Sequence, residues 1–168
     1  MSDLEFYTTA MIRGELMGAN LLSDPEEWEA ALGHEYVDDV KKSRMRRDYG
    51  LIEVHFTRSR AWKCTGVSLQ VHRLAWDNGN LVPAPLIDRY GAFSSRVPFE
   101  TVRRLLTGGG CRIDEDRAKS QGEYATFSVR RTPASIVTLR NPGEDEPFQP
   151  GDIWSITLNP MATASDVR

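Results

Sequence analysis

Two runs of this chain alternate apolar and polar residues with a period of two. That period fits an extended strand with one buried face and does not fit a helix. In GLIEVHFT, residues 50–57, Ile52, Val54 and Phe56 fall on one side and Glu53, His55 and Thr57 on the other. In residues 64–73, Val67, Leu69 and Val71 stand against Ser68, Gln70 and His72. Further strand runs follow at 123–130 (EYATFSVR), 135–140 (SIVTLR) and 152–158 (DIWSITL). Turn-forming residues separate them, WDNGN at 76–80 and NPGEDEPFQPG at 141–151.

Each half opens on a helix. Residues 24–33, DPEEWEAALG, carry an N-cap aspartate, Pro25 at the first helical position, Glu27 closing a capping box and Gly33 beyond the end. Trp28, Ala31 and Leu32 form its apolar stripe. Residues 98–109, PFETVRRLLTGG, place Phe99, Val102, Leu105 and Leu106 on one face. The order helix, strands, helix, strands predicts an α+β fold. Two tandem helix-plus-antiparallel-strand units, 1–80 and 81–168, form one compact domain with the helices on one sheet face. Residues 81–93, LVPAPLIDRYGAF, read as the connector. The pattern leaves open whether the halves share one sheet or form two.

Composition narrows the function. Net charge is −3, which sets nucleic acid aside as the principal partner. No apolar run is long enough to span a bilayer, and MSDLEFYTTAMIRGEL lacks the basic and apolar regions of a signal peptide. The chain therefore reads as cytoplasmic, with Cys64 and Cys111 as reduced thiols. There is no CxxC pair and no nucleophile elbow, and the GGG at 108–110 follows a helix instead of leading into one. No cofactor is implied and no catalytic residue is assigned.

The histidines do not read as a metal site. A hairpin turning around residues 58–63 puts His55 opposite residue 66 or 68 and His72 opposite 49 or 51. At about 3.4 Å per residue the two rings lie near opposite ends of it. His34 follows a helix end, where an imidazole complements the dipole. The Tyr49-Gly50 step reads as a strand entry. Gly50 permits a bulge or a close backbone approach, Tyr49 packs at the sheet edge, and Asp48 pairs with Arg46 or Arg47 or binds local amides.

Charge is segregated along the chain. Residues 24–39 hold Asp24, Glu26, Glu27, Glu29, Glu35, Asp38 and Asp39 and no Lys or Arg, and KKSRMRR at 41–47 then holds five basic residues in seven. Such blocks either compensate each other as a solvated face or steer a partner of complementary charge. With an uncovered sheet face, the second reading makes Glu35, Asp38, Asp39, Glu53, His55, Gln70 and His72 candidates for a partner-binding surface. Trp62 and Trp76, in turns at either end of the second strand, are interface anchors or core plugs. Charge reversal at Asp38 and Asp39 is then expected to slow association and leave the thermal midpoint nearly unchanged.

The helix ending in ALG, the polar stretch, DYGLIEVHF and the strand LQVHRL together resemble small cytosolic proteins of high-GC actinobacteria. They are similar in style to immunity proteins of polymorphic toxin systems, and the tandem units are similar to beta-lactamase-inhibitor-like repeats. The resemblance covers residues 12–74 most directly. It implies a non-enzymatic binder that occludes a cognate protein toxin and transfers no functional residue. The alternative is a small hydrolase with Asp48, Tyr49, His55 and His72 around a pocket. A convergent concave site marks the enzyme, and an open patch with aromatic anchors marks the binder.

Overall fold

The structure, a computed structural model, describes residues 1–77 and 79–161. Asn78, within the expected 76–80 turn, and residues 162–168 of the second expected unit lie outside the described residues. The fold is α+β. One antiparallel eight-stranded sheet runs, in order, through residues 37–41, 44–48, 52–58, 62–69, 153–158, 134–139, 124–129 and 113–115, so the halves share a single sheet.

The chain begins with α1 (Asp3–Arg13), capped by a Ser2–Glu5 box and ended by Gly14 in the left-handed region. A small hairpin, β1 (Glu15–Leu16) and β2 (Ala19–Asn20), leads to α2 (Pro25–Leu32). The expected Asp24–Glu27 capping box is present, Trp28 and Leu32 are buried, and Gly33 follows the last turn. A four-strand meander comes next: β3 (Val37–Lys41), β4 (Arg44–Asp48), β5 (Ile52–Arg58) and β6 (Trp62–Leu69). The second half supplies α3 (Ala84–Tyr90), α4 (Phe99–Gly108) and the strands β7 (Ile113–Glu115), β8 (Tyr124–Val129), β9 (Ala134–Leu139) and β10 (Ile153–Leu158). The closing strands of the halves, β6 and β10, pair at the middle of the sheet.

Several elements depart from the sequence reading. The strand expected to reach residue 73 ends at Leu69, and Val71–Ala75 is a 3₁₀ helix. Gln70 leaves the β region, and its N–H donates to the Leu51 carbonyl at 2.6 Å, turning the chain across the sheet end. His72 therefore sits on that short helix and not on a strand. The supposed connector contains α3, whose Leu86 and Tyr90 are buried. In α4, Leu105 is exposed although it belongs to the expected stripe. The N-terminal helix and the β3–β4 hairpin had no counterpart in the reading.

One core joins the helices to one face of the sheet. Phe6, Tyr7, Trp28, Leu86, Val102 and Leu106 from the helices pack with Ile52, Val54, Phe56, Val67, Leu69, Ile136, Ile156 and Leu158. Of these strand residues, Ile52, Val54, Phe56, Val67 and Leu69 are the ones the alternation assigns to the interior. Gly50 holds the close approach expected of it: its φ is 91°, and a Cβ there would lie 2.5 Å from the Leu81 carbonyl oxygen. That carbonyl accepts the Leu51 N–H at 2.7 Å.

Candidate functional site

Residues opposite one another in a sheet share a face, so the pairing register defines the surface away from the helices. A row of polar side chains crosses seven strands: Asp48, Glu53, Ser68, Thr157, Ser135, Ser128 and Asp114. Beside it run Asp39, Arg46, His55 and Gly66, and beyond those Lys41, Arg44, Thr57 and Lys63. His55 faces Gly66, one of the two partners its hairpin geometry allows. A bulge after His55 preserves the facing of the residues beyond it.

Glu53 is the centre of the polar row. It is 5% exposed, yet it lies on the face opposite the core. Arg73 donates to it at 2.5 Å and Gln70 at 3.2 Å, and Gln70 also reaches Ser68 at 3.0 Å. His55 and Arg46 stand farther off, at 3.7 and 3.9 Å. The same Arg73 guanidinium holds both oxygens of Asp48, at 3.0 and 3.1 Å, and the Gly50 carbonyl at 2.8 Å. Asp48 also accepts the Gly50 N–H, the local amide bond anticipated for it, but its arginine partner is Arg73 and not Arg46 or Arg47. Arg73 escaped the sequence reading because the 3₁₀ helix that delivers it was read as strand.

An aromatic cluster closes the end of the sheet where β6 leaves it. The His72 ring stacks on Trp154 at 4.1 Å, with the planes 2° apart, and its Nδ1–H donates to the Trp154 carbonyl at 3.1 Å. Burial lowers the His72 pKa, against the opposing pull of that carbonyl, and keeps the ring neutral. Tyr124 and Phe148 each meet Trp154 at 5.4 Å, and Trp76 meets Phe148 at 6.2 Å. Trp76 is 66% exposed. Trp62 has the other fate: as the first residue of β6 it packs against the core with Arg58 over its ring.

Asp38 and Asp39 do not make one acidic patch, because neighbours in a strand point to opposite faces. Asp39 lies on the polar face, 3.6 Å from Lys41. Asp38 turns to the helix side and takes a two-pronged pair from Arg47 at 2.9 and 3.0 Å. Arg47 also donates to the Pro25 carbonyl at 2.8 Å and lies 3.8 Å over the Tyr36 ring. Burial alone would lower its pKa, but the bonds to Asp38 hold it above the ordinary value. The Tyr36 hydroxyl donates to Glu29 and holds that carboxyl below its usual range. Glu35 is exposed in the loop between α2 and β3, away from the polar face. Asp38 therefore cannot be reversed without a cost in stability, contrary to the expectation from its charge block alone.

The proposed hydrolase residues do not converge. Asp48 and His55 are on the polar face, but Tyr49 points into the core against Tyr36. Burial pushes the Tyr49 hydroxyl up to about 12. His72 is committed to Trp154. His34 lies elsewhere, 3.0 Å from Glu29. Among the described residues no three His, Cys, Asp or Glu side chains gather to hold a metal ion, and no helix is long and apolar enough to cross a membrane. No family model, no curated protein and no solved structure matches the chain.

Proposed function

We propose that the chain is a non-enzymatic protein-binding module of the immunity type its sequence resembles, acting in the cytoplasm. It binds and neutralises a cognate protein toxin through the polar face of its sheet. One observation carries the reading: at the aromatic end of that face the ionisable groups are tied to one another, beside an exposed aromatic anchor. Arg73 joins Asp48 to Glu53, the Trp154 carbonyl occupies His72, and Trp76 stands free at the edge. Groups locked in this way make a rigid recognition surface and are poorly placed to exchange protons with a substrate. Asp39, His55, Gln70, His72 and Trp76 are the contact residues in this reading, and Glu53, 5% exposed, holds Arg73 and Gln70 in place behind them.

The test is affinity capture from the source cells, followed by expression of the captured protein alone and together with this chain. A stoichiometric partner that arrests growth alone and is harmless in co-expression supports the reading. A partnerless protein, or a partner whose toxicity co-expression leaves untouched, overturns it.

A further inference from the structure

The polar face has a second feature, at the end away from the aromatic cluster. There the β3–β4 turn and the ends of β5 and β6 border an open groove of about 820 Å³. Its wall carries Lys41, Lys42, Arg44, Arg46 and His55, with Met45 among the apolar lining and Asp39 as the one acid. The acids that could neutralise this wall are engaged. Asp39 is 3.6 Å from Lys41, Asp38 is held by Arg47 on the other face, and Glu53 is held by Arg73 with Arg46 at 3.9 Å. Among the described residues Lys42, Arg44 and Lys63 make no ion pair with an acid.

The register sharpens this. Lys41 is directly opposite Arg44, and the same row ends in Lys63 across Thr57. Like charges directly opposed across a strand pair destabilise the sheet. An anion seated between them removes that repulsion. The basic wall thus has a surplus of positive charge that nothing within the fold balances.

We infer that this groove takes an acidic, extended segment of a partner protein, its carboxylates on Lys41, Lys42 and Arg44. The volume suits several residues of chain rather than a single small anion. A nucleic acid is the poorer fit. Of the two aromatic rings in the lining, Phe56 is 1% exposed and unable to stack a base and His55 is a single small ring beside the Glu53 carboxylate, and the chain as a whole carries a net charge of −3. The inference rests on the protein-binding reading and names the charge of what is bound.

The test is fluorescence anisotropy with a short labelled peptide of glutamate and leucine, run beside a single-stranded oligothymidine and a neutral peptide of equal length. The wild-type chain is expected to bind the acidic peptide, with affinity falling as salt screens the wall. The Lys41→Gln/Arg44→Gln double variant is expected to lose about tenfold in affinity. Its thermal midpoint stays level or rises, because the opposed charges are gone. Arg103→Gln/Arg104→Gln, the same charge change on exposed residues of α4, is expected to bind as wild type does. In this assay the inference is overturned by no binding of the acidic peptide, by tighter binding of the oligothymidine, or by equal losses in the groove and α4 variants. The two readings fail separately. A captured toxin whose affinity ignores Lys41→Gln/Arg44→Gln removes the groove and leaves the module, and peptide binding without any captured toxin does the reverse.

Discussion

Replacing Arg47 by alanine probes the tie between α2, β3 and β4. Arg47 is 6% exposed and makes three hydrogen bonds of 2.8 to 3.0 Å, two to Asp38 and one to the Pro25 carbonyl. Losing the bond from the charged guanidinium to the Pro25 carbonyl costs about 1.5–3 kcal/mol. Losing the cation over Tyr36 costs roughly 0.5–2 kcal/mol. Breaking a fully buried ion pair costs about 3–5 kcal/mol. The Asp38 side chain is 27% exposed and can rehydrate, so its share is set nearer 1 kcal/mol. The total is about 3–6 kcal/mol, or a fall in thermal midpoint of at least about 6 °C for a domain of this size. Asp38→Ala leaves Arg47 its other partners and is expected to cost about 1–2 kcal/mol, and Asp39→Ala, exposed beside Lys41, under about 0.5 kcal/mol. Arg47→Lys restores the charge without the two-pronged geometry and recovers less than half of the loss. Urea unfolding followed by circular dichroism measures all four variants. A cost below about 1 kcal/mol for Arg47→Ala, or equal costs for Asp38→Ala and Asp39→Ala, would refute the reasoning.

Three further outcomes follow from the same geometry. Gly50→Ala drives a Cβ to within 2.5 Å of the Leu81 carbonyl oxygen at a φ of 91°, whereas Gly33→Ala meets open space at a φ of 93°. The first is expected to cost about 2–4 kcal/mol and the second about 1 kcal/mol, and equal shifts in urea midpoint would sink the close-approach argument. His72 has a folded-state pKa below its unfolded one, so the unfolded chain takes the proton first. Stability present at neutral pH is then lost as pH falls below about 6.5, toward the folded-state pKa. Thermal midpoints measured from neutral to mildly acidic pH are expected to slope less in His72→Gln, and an unchanged slope assigns the pH dependence elsewhere. Trp76→Ala removes a side chain that is 66% exposed and is expected to move stability by less than about 0.5 kcal/mol while weakening a captured partner at least about tenfold. Unchanged affinity takes the aromatic end out of the interface.

What was legible in the sequence is what local rules determine. The α2 caps, the alternation in β5 and β6 and the pairing of His55 with Gly66 all depend on residues near one another, and all are present. The N-terminal helix is equally local: Ser2 and Glu5 spell its capping box, a signal that the search for a signal peptide does not use. The 3₁₀ turn after Leu69 was not, because Gln70 and His72 continue the alternating pattern while a long-range bond to Leu51 bends the backbone. That turn carries Arg73 to Asp48 and Glu53, and His72 to Trp154, contacts no local pattern encodes.

The β3–β4 hairpin shows why a charge block is a poor guide to the sign of a surface. All five residues of β3 are exposed, and no apolar alternation announces a strand. Only Val40 separates the acidic block from the basic one, and the turn at 42–43 falls inside the basic run, so the hairpin folds one block onto the other, Asp38 against Arg47 and Asp39 against Arg46. Alternation then sends Asp38 to the helices, where it is consumed by Arg47, and leaves Lys41, Arg44 and Arg46 on the polar face. An acidic stretch in sequence has become a basic wall in space. The partner this end of the sheet suits is therefore acidic, the opposite of what the run from Asp24 to Asp39 implies when read as a line.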